Sequence, residues 1–169
     1  MQYWDGILGF LIINIAFKLV KNKLNIEDMF CNIKIFNNGK EQRLRAMIDT
    51  GNLLKDPITN SPVIIIEKNK LLNILPKEIL ENTKKIINGQ YEFSDEYLKY
   101  ASRFRVLPFS SLGKQNGMLL GFKVDKIEAE INDEDVIRED AIIGIYDKKL
   151  SNRNQYQSLI GLNYVEKSC

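Results

Sequence analysis

Apolar and polar positions alternate from residue 30 onward in short runs that are typical of β-strands. Residues 30–36 and 41–48 form the first two runs, and the Asn-Asn-Gly between them predicts a hairpin turn, because Asn and Gly accept positive φ angles. Residues 62–67 are an apolar, β-branched run of strand length. Further strands are predicted at residues 105–109, 118–124, 126–131, 141–146 and 159–165. No internal repeat or low-complexity linker separates these runs, so we expect one mainly β domain with a shared core.

Residues 68–105 interrupt the strand pattern with a helical one. Pro76 is typical of a first helical position, Gly89 is typical of a helix stop, and Ser94 is a predicted cap for a second short helix. We therefore expect a helical insertion in the β domain. Its first helix is expected to bury one face, which carries Leu80, Thr83, Ile86 and Ile87.

The beginning of the chain is unlike the rest, because residues 7–20 are almost entirely apolar. Two interpretations fit this run: the trailing part of a transmembrane helix, which we favour, or an amphipathic helix that covers a core. Asp5 precedes the run and lysines come after it, which argues against a signal peptide and predicts a cytoplasmic position for the rest of the chain. We expect residues 1–23 to be the end of a transmembrane or membrane-proximal helix and residues 24–169 to form a cytoplasmic domain.

Composition restricts the chemistry further. The 169 residues include no histidine, which excludes Ser-His and Cys-His couples and His-ligated zinc. The net charge of +2 and the scattered basic residues do not indicate a nucleic-acid partner. Cys31 is a predicted packing residue, and Cys169 has no histidine to act as its base, so a thiol mechanism is not expected. The acidic run over residues 132–140 lacks the spacing of a calcium loop and predicts a solvated turn, so we expect no metal or cofactor.

The most informative motif is Asp49-Thr50-Gly51, at the point where an apolar strand meets a glycine turn. By itself such a tripeptide is also typical of an ordinary tight turn. Its context is more specific, with a hairpin upstream, two apolar residues before the Asp, and a later apolar-apolar-Gly triplet that ends in Ile143-Gly144. This arrangement resembles retroviral-type aspartic proteases. The resemblance implies that the strand with Ile143 and Gly144 crosses beneath the Asp loop and supports it.

Longer segments carry a closer resemblance. Residues 45–67, 105–113 and 143–151, read in this order, look like the sporulation sigma-E factor processing peptidase of endospore-forming bacteria. In that family a multi-span membrane region precedes a cytoplasmic aspartic protease domain. The resemblance implies a retropepsin-like barrel, a location at the cell membrane, and pro-sigma-E factor as the protein substrate. It further implies an extracytoplasmic signalling protein that acts through the membrane region.

The chemistry of an aspartic protease requires two carboxylates that share a proton. This chain has a single Asp-Thr-Gly, so the second carboxylate is expected to be Asp49 of another copy in a homodimer. The resemblance implies that Thr50 hydrogen-bonds across the dimer and that Gly51 lets the loop approach the substrate. Asn52 stands where many relatives carry Ser, Thr or Ala, and its amide is a candidate support for an Asp49 oxygen.

Residues 110–117 are the candidate flap that would cover a bound peptide, because Gly113 and Gly117 with polar neighbours lie between strand-like flanks. An ordinary hairpin loop fits the same pattern. The function expected from the sequence is therefore aspartic endopeptidase, which removes the amino-terminal pro-segment of a sporulation sigma factor. Two alternatives remain open: a non-catalytic dimeric binding or sensor domain on the same fold, and a soluble retropepsin-like enzyme unrelated to sporulation.

Overall fold

A computed structural model describes residues 29–95, 98–111, 114–131 and 134–165 of the chain. Nine strands in these ranges form one sheet. All eight predicted strands are found, with boundaries that differ by a few residues. The strands are β1 (Phe30–Asn37), β2 (Lys40–Asp49), β3 (Val63–Glu67), β4 (Phe104–Ser111), β5 (Lys114–Lys123), β6 (Lys126–Ile131), β7 (Glu134–Glu139), β8 (Ile142–Tyr146) and β9 (Ser158–Gly161).

Strands β1 and β2 form the predicted hairpin, paired from Phe30 opposite Met47 to Asn37 opposite Lys40. Asn38 and Gly39 both have positive φ angles, of 51° and 74°, as a two-residue hairpin turn requires. Alternate residues of the two strands point into the core. The alternation of apolar and polar residues in the sequence therefore matches the alternation of buried and exposed side chains. The buried residues include Ile33, Ile35, Leu44 and Ala46.

The sheet is mixed, with the strand order β4-β5-β8-β3-β9-β2-β1-β6-β7. Strand β9 runs parallel to β2, β8 runs parallel to β3, and the other pairings are antiparallel. In the described part of the chain β4 and β7 are the outer strands, so the sheet is open and the expected closed barrel is not confirmed. The mainly β prediction itself is confirmed.

Short helices connect β3 to β4, as the sequence predicts. After a 3₁₀ turn at Lys68–Lys70 come α1 (Lys77–Glu81), α2 (Thr83–Ile87) and α3 (Leu98–Ala101). Pro76 directly precedes α1, and Gly89 follows α2 with a φ angle of 67°. The residues of the predicted apolar face pack against the core. The helical prediction is wrong over residues 88–95, which are not helical, and at its end, where β4 begins at Phe104.

Two local predictions are wrong. The acidic segment predicted as a solvated turn forms β7 over Glu134–Glu139, which pairs with β6 only and so keeps its charged side chains at the sheet edge. The last predicted strand ends at Gly161 and is followed by helix α4 (Leu162–Val165). Tyr164 in this helix is completely buried, so its ring enters the core from a helix rather than from a strand, whereas Leu162 is 43% exposed.

The predicted membrane helix within residues 1–23 lies outside the described residues. Within the described ranges no helix has the length and apolar character needed to cross a bilayer. The interpretation of the amino-terminal segment therefore remains a prediction.

Candidate active site

Asp49 is the last residue of β2, and a tight turn follows it. The backbone N–H of Gly51 donates to Asp49 Oδ1 at 2.9 Å, and the N–H of Asn52 donates to the Asp49 carbonyl oxygen at 3.1 Å. Asp49 is half-buried, whereas Thr50 and Gly51 are exposed. The turn thus holds one carboxylate oxygen in place, and the carboxylate group lies at the protein surface where β2 ends.

Asn52 is buried and ties the Asp loop to two neighbouring strands. Its Nδ2 donates to the carbonyl oxygen of Val63 at 3.3 Å and lies 3.5 Å from that of Leu159. Its Oδ1 accepts from the N–H of Leu54 at 3.2 Å. The expected support of Asp49 by this amide is therefore wrong, because the side chain is engaged with β3, β9 and its own loop. Its effect on Asp49 is indirect, through the position of the loop backbone.

The strand beside the Asp loop is β9. Asp49 pairs with Gly161 at the end of the parallel β2–β9 ladder. A Cβ atom on Gly161 would overlap the carbonyl oxygen of Asn52, so only glycine leaves room for the loop at this position.

The sequence pattern predicts Ile143 and Gly144 at this place, and the structure does not bring them there. Gly144 lies in β8 between Ile65 of β3 and Gly121 of β5, away from Asp49. The triplet Leu159-Ile160-Gly161 has the same apolar-apolar-Gly pattern and was the signal for the correct strand. The local sequence pattern does not show which of the two triplets lies beside Asp49, because that depends on the order of the strands in the sheet.

A cavity of about 580 Å³ opens beside Asp49. Its walls are mostly apolar, and Asp49 is the only acidic residue among the described residues that line it. Lys55 is the one basic residue in the same lining. Apart from the Asp loop, the walls come from Ile65, Pro108, Phe109, Ser110, Leu119, Tyr146, Leu150 and Leu159. A concave, apolar site with one carboxylate at its edge is suited to a peptide with large side chains.

The candidate flap belongs to the β4–β5 hairpin, which forms one side of this cavity. Phe109 pairs with Gly117, and a Cβ on Gly117 would overlap the Phe109 ring, so this glycine lets the ring lie across the hairpin. The pairing continues to Ser111 and Lys114. Gly113 lies outside the described residues. The hairpin is confirmed, and its action as a cover stays a prediction.

The other groups considered from the sequence do not join this site. Cys31 is buried in the core, and burial raises the pKa of its thiol to about 11, as suits a packing residue rather than a nucleophile. The acidic residues of β7 do not line the cavity. Within the described ranges, no three Asp, Glu or Cys side chains come together as metal ligands would.

Comparison with known proteins gives one family. Residues 5–163 match the model of peptidase family U4, described as sporulation factor SpoIIGA. The chain is 27% identical over 158 residues to the sporulation sigma-E factor-processing peptidase of Priestia megaterium, a match that covers 91% of this chain and 51% of that protein. It is 32% identical over 120 residues to the Bacillus subtilis protein of the same name, which covers 69% of this chain and 38% of the relative.

The chain thus spans about half the length, or less, of these two curated relatives. No solved structure matches the chain significantly.

Proposed function

This chain belongs to the SpoIIGA sporulation factor family, peptidase family U4, and on that premise we propose that it is an aspartic endopeptidase. Its substrate is a sporulation sigma factor, pro-sigma-E, from which it removes the amino-terminal pro-segment. The proposal rests on one observation above all: the Asp49 carboxylate stands at the edge of a large apolar cavity with one oxygen held by the Gly51 N–H. Two curated relatives are named as sigma-E factor-processing peptidases.

Catalysis needs a second carboxylate close to the first. The ionised Asp49 takes a proton from a water molecule, whose oxygen attacks the scissile carbonyl carbon. The partner's Asp49, which is protonated, donates its proton to the carbonyl oxygen. Collapse of the tetrahedral intermediate breaks the C–N bond, and the leaving nitrogen receives a proton. The pair must share one proton, because two carboxylates in contact cannot both ionise.

A homodimer supplies this second carboxylate. Within the described residues that line the cavity Asp49 is the only carboxylate, so one copy holds half of the required pair. The surface around it is suited to self-association, since Thr50 and Gly51 are exposed and Leu53 and Leu162 keep 71% and 43% of their surface accessible. On a two-fold axis through the Asp loops, Thr50 of each copy would reach the other loop.

The fold that we propose for the dimer is retropepsin-like. Three features support this: the Asp loop after a hairpin, the glycine-ended strand β9 beside it, and the β4–β5 hairpin along the cavity. The hairpin would act as the cover, and a substrate would lie extended between it and Asp49.

We also propose a membrane tether. Residues 1–23 would end a transmembrane segment and residues 24–169 would form the cytoplasmic protease domain, with an extracytoplasmic signalling protein acting through the membrane part. The apolar run at residues 7–20 and the lysines after it support this arrangement. A reporter fused after residue 169 tests it, because fractionation of the reporter away from the membrane would contradict the tether.

Substitution of Asp49 tests the catalytic assignment. Asp49→Asn keeps the size of the side chain and its hydrogen bond from Gly51, but it removes the titratable group. Co-expressed with pro-sigma-E, this variant should leave the substrate unprocessed. Asp140→Asn is the control, because Asp140 is an exposed carboxylate at a positive φ angle that Asn also accepts. Normal processing by Asp49→Asn would reject the peptidase and favour the binding or sensor domain.

A further inference from the structure

A buried pair of opposite charges joins the loop that carries Asp49 to the root of the β4–β5 hairpin. Asp56 lies in this loop and is completely buried, and the side chain of Arg105, near the start of β4, is 18% exposed. Arg105 Nε and Asp56 Oδ2 are 3.8 Å apart. Pro108 and Phe109 follow Arg105 in the same strand and line the cavity, so this pair links its two sides.

Asp56 is held firmly on its own side of the contact. Its Oδ2 accepts from the N–H of Thr59 at 3.1 Å and from its hydroxyl at 2.7 Å. The Asp56 backbone closes the same turn, donating to the Ser61 carbonyl oxygen at 2.9 Å and accepting from the Asn60 N–H at 2.8 Å. A turn of this kind needs a side-chain acceptor such as that of Asp or Asn, but it does not need an arginine beside it.

Arg105 is anchored to the backbone of residues just before it in the chain. Its Nη1 donates to the carbonyl oxygens of Ser102 at 3.0 Å and Phe104 at 2.7 Å. This leaves the Nε edge of the guanidinium toward Asp56. Arg105 Nε and Asp56 Oδ1 are both buried and have no hydrogen-bond partner among the described residues. Buried charges that are incompletely hydrogen-bonded are costly, and 3.8 Å is longer than an N–H···O hydrogen bond.

We propose that Asp56 and Arg105 are positioning residues of the peptidase, an inference that rests on the proposed function. Their ion pair sets the distance between the hairpin and the Asp49 loop. When the hairpin closes over a peptide, Arg105 Nε moves into direct hydrogen bonding with the Asp56 carboxylate. The pair therefore acts on substrate binding and alignment without touching the scissile bond. Asp56 and Arg105 lie in two of the segments that carry the family resemblance, residues 45–67 and 105–113, and the proposed pair gives these segments a joint role.

Arg105→Met tests the pair, because methionine replaces the charge with an apolar side chain of similar length. Processing of a pro-sigma-E peptide by the full chain should lose about tenfold or more in kcat/KM, mostly through a higher KM. Arg103→Met is the matched control: Arg103 also forms an ion pair, at 2.8 Å with Asp125, but contacts the β1–β2 turn instead of the Asp loop. It should keep kcat/KM within about twofold.

Arg105→Lys should recover part of the loss, since it keeps the charge without the planar fork. Circular dichroism and urea unfolding of each variant show whether it is folded under the assay conditions. If Arg105→Met and Arg103→Met have equal kcat/KM, the pair has no positioning role and the inference is wrong.

Asp56→Asn is the second variant, and it keeps the acceptor for Thr59 and remains informative if Arg105→Met does not fold. Its kcat/KM should fall by a factor similar to that of Arg105→Met. The double variant should lose no more than the worse single variant, because both changes remove the same contact. Losses that multiply would overturn the proposal. The result with Asp49→Asn separates the proposed peptidase function from the positioning role. If Asp49→Asn is inactive and the variants of Asp56 and Arg105 have normal activity, only the positioning role fails.

Discussion

Asp49 and Gly161 lie opposite each other at the ends of the parallel strands β2 and β9, and the carbonyl oxygen of Asn52 fills the space that a side chain at residue 161 would need. The position of the candidate catalytic carboxylate therefore depends on a residue far along the chain that contributes no side chain. Close packing of the backbone against Gly161 thus supports the loop together with the side-chain hydrogen bonds of Asn52.

Gly161→Ala should damage both stability and activity. The added methyl group must displace the Asn52 backbone, and such overpacking costs about 1–3 kcal/mol in the free energy of unfolding. Gly144→Ala is the control, because its Cβ would meet Val63 Cγ1 at 3.4 Å, an ordinary contact. Urea unfolding and a processing assay measure the two effects. Equal damage from both substitutions would contradict the assignment of β9 as the supporting strand.

Charge on the exposed leucines near Asp49 should prevent self-association. Leu53→Glu and Leu162→Glu each place a carboxylate on the proposed dimer surface, where desolvation and repulsion between copies disfavour contact. Leu72→Glu is the control, because Leu72 is 55% exposed and lies beside Lys40, at the other end of β2 from Asp49. Analytical ultracentrifugation of the chain with and without residues 1–20 gives the oligomeric state. A chain that is monomeric in both forms would place dimerisation under the control of the membrane part or a partner.

The thiol of Cys31 should make the protein less stable in alkaline solution. Burial raises its pKa from 9.0 to about 11, so above about pH 9 the unfolded chain releases a proton that the folded chain keeps. This part of the stability is fully present below pH 9 and is lost as the pH rises toward 11, by at most about 1.4 kcal/mol per pH unit. Urea unfolding from about pH 8 to about pH 10.5 should give a shallower decline for Cys31→Ala. Identical slopes would contradict the prediction.

Much of the local structure could be predicted from the sequence. The alternation in β1 and β2 and the Asn38-Gly39 turn depend on neighbouring residues only, and the structure agrees closely with both. Strand β7 was missed because an outer strand buries little, so its composition resembles that of a turn. The pattern predicts strand at helix α4 because four residues, three of them apolar, are too few for their period to distinguish a helix from a strand.

The sequence by itself determined which residues are available for catalysis, with one Asp-Thr-Gly and no histidine. It also contains the apolar and turn patterns that produce a β domain. Only the tertiary structure decided that Gly161, rather than Gly144, lies beside Asp49, and that Asp56 meets Arg105. The physical reason is that hydrophobic periodicity is a local property, whereas strand order and the pairing of buried charges depend on contacts between segments that are distant in the chain.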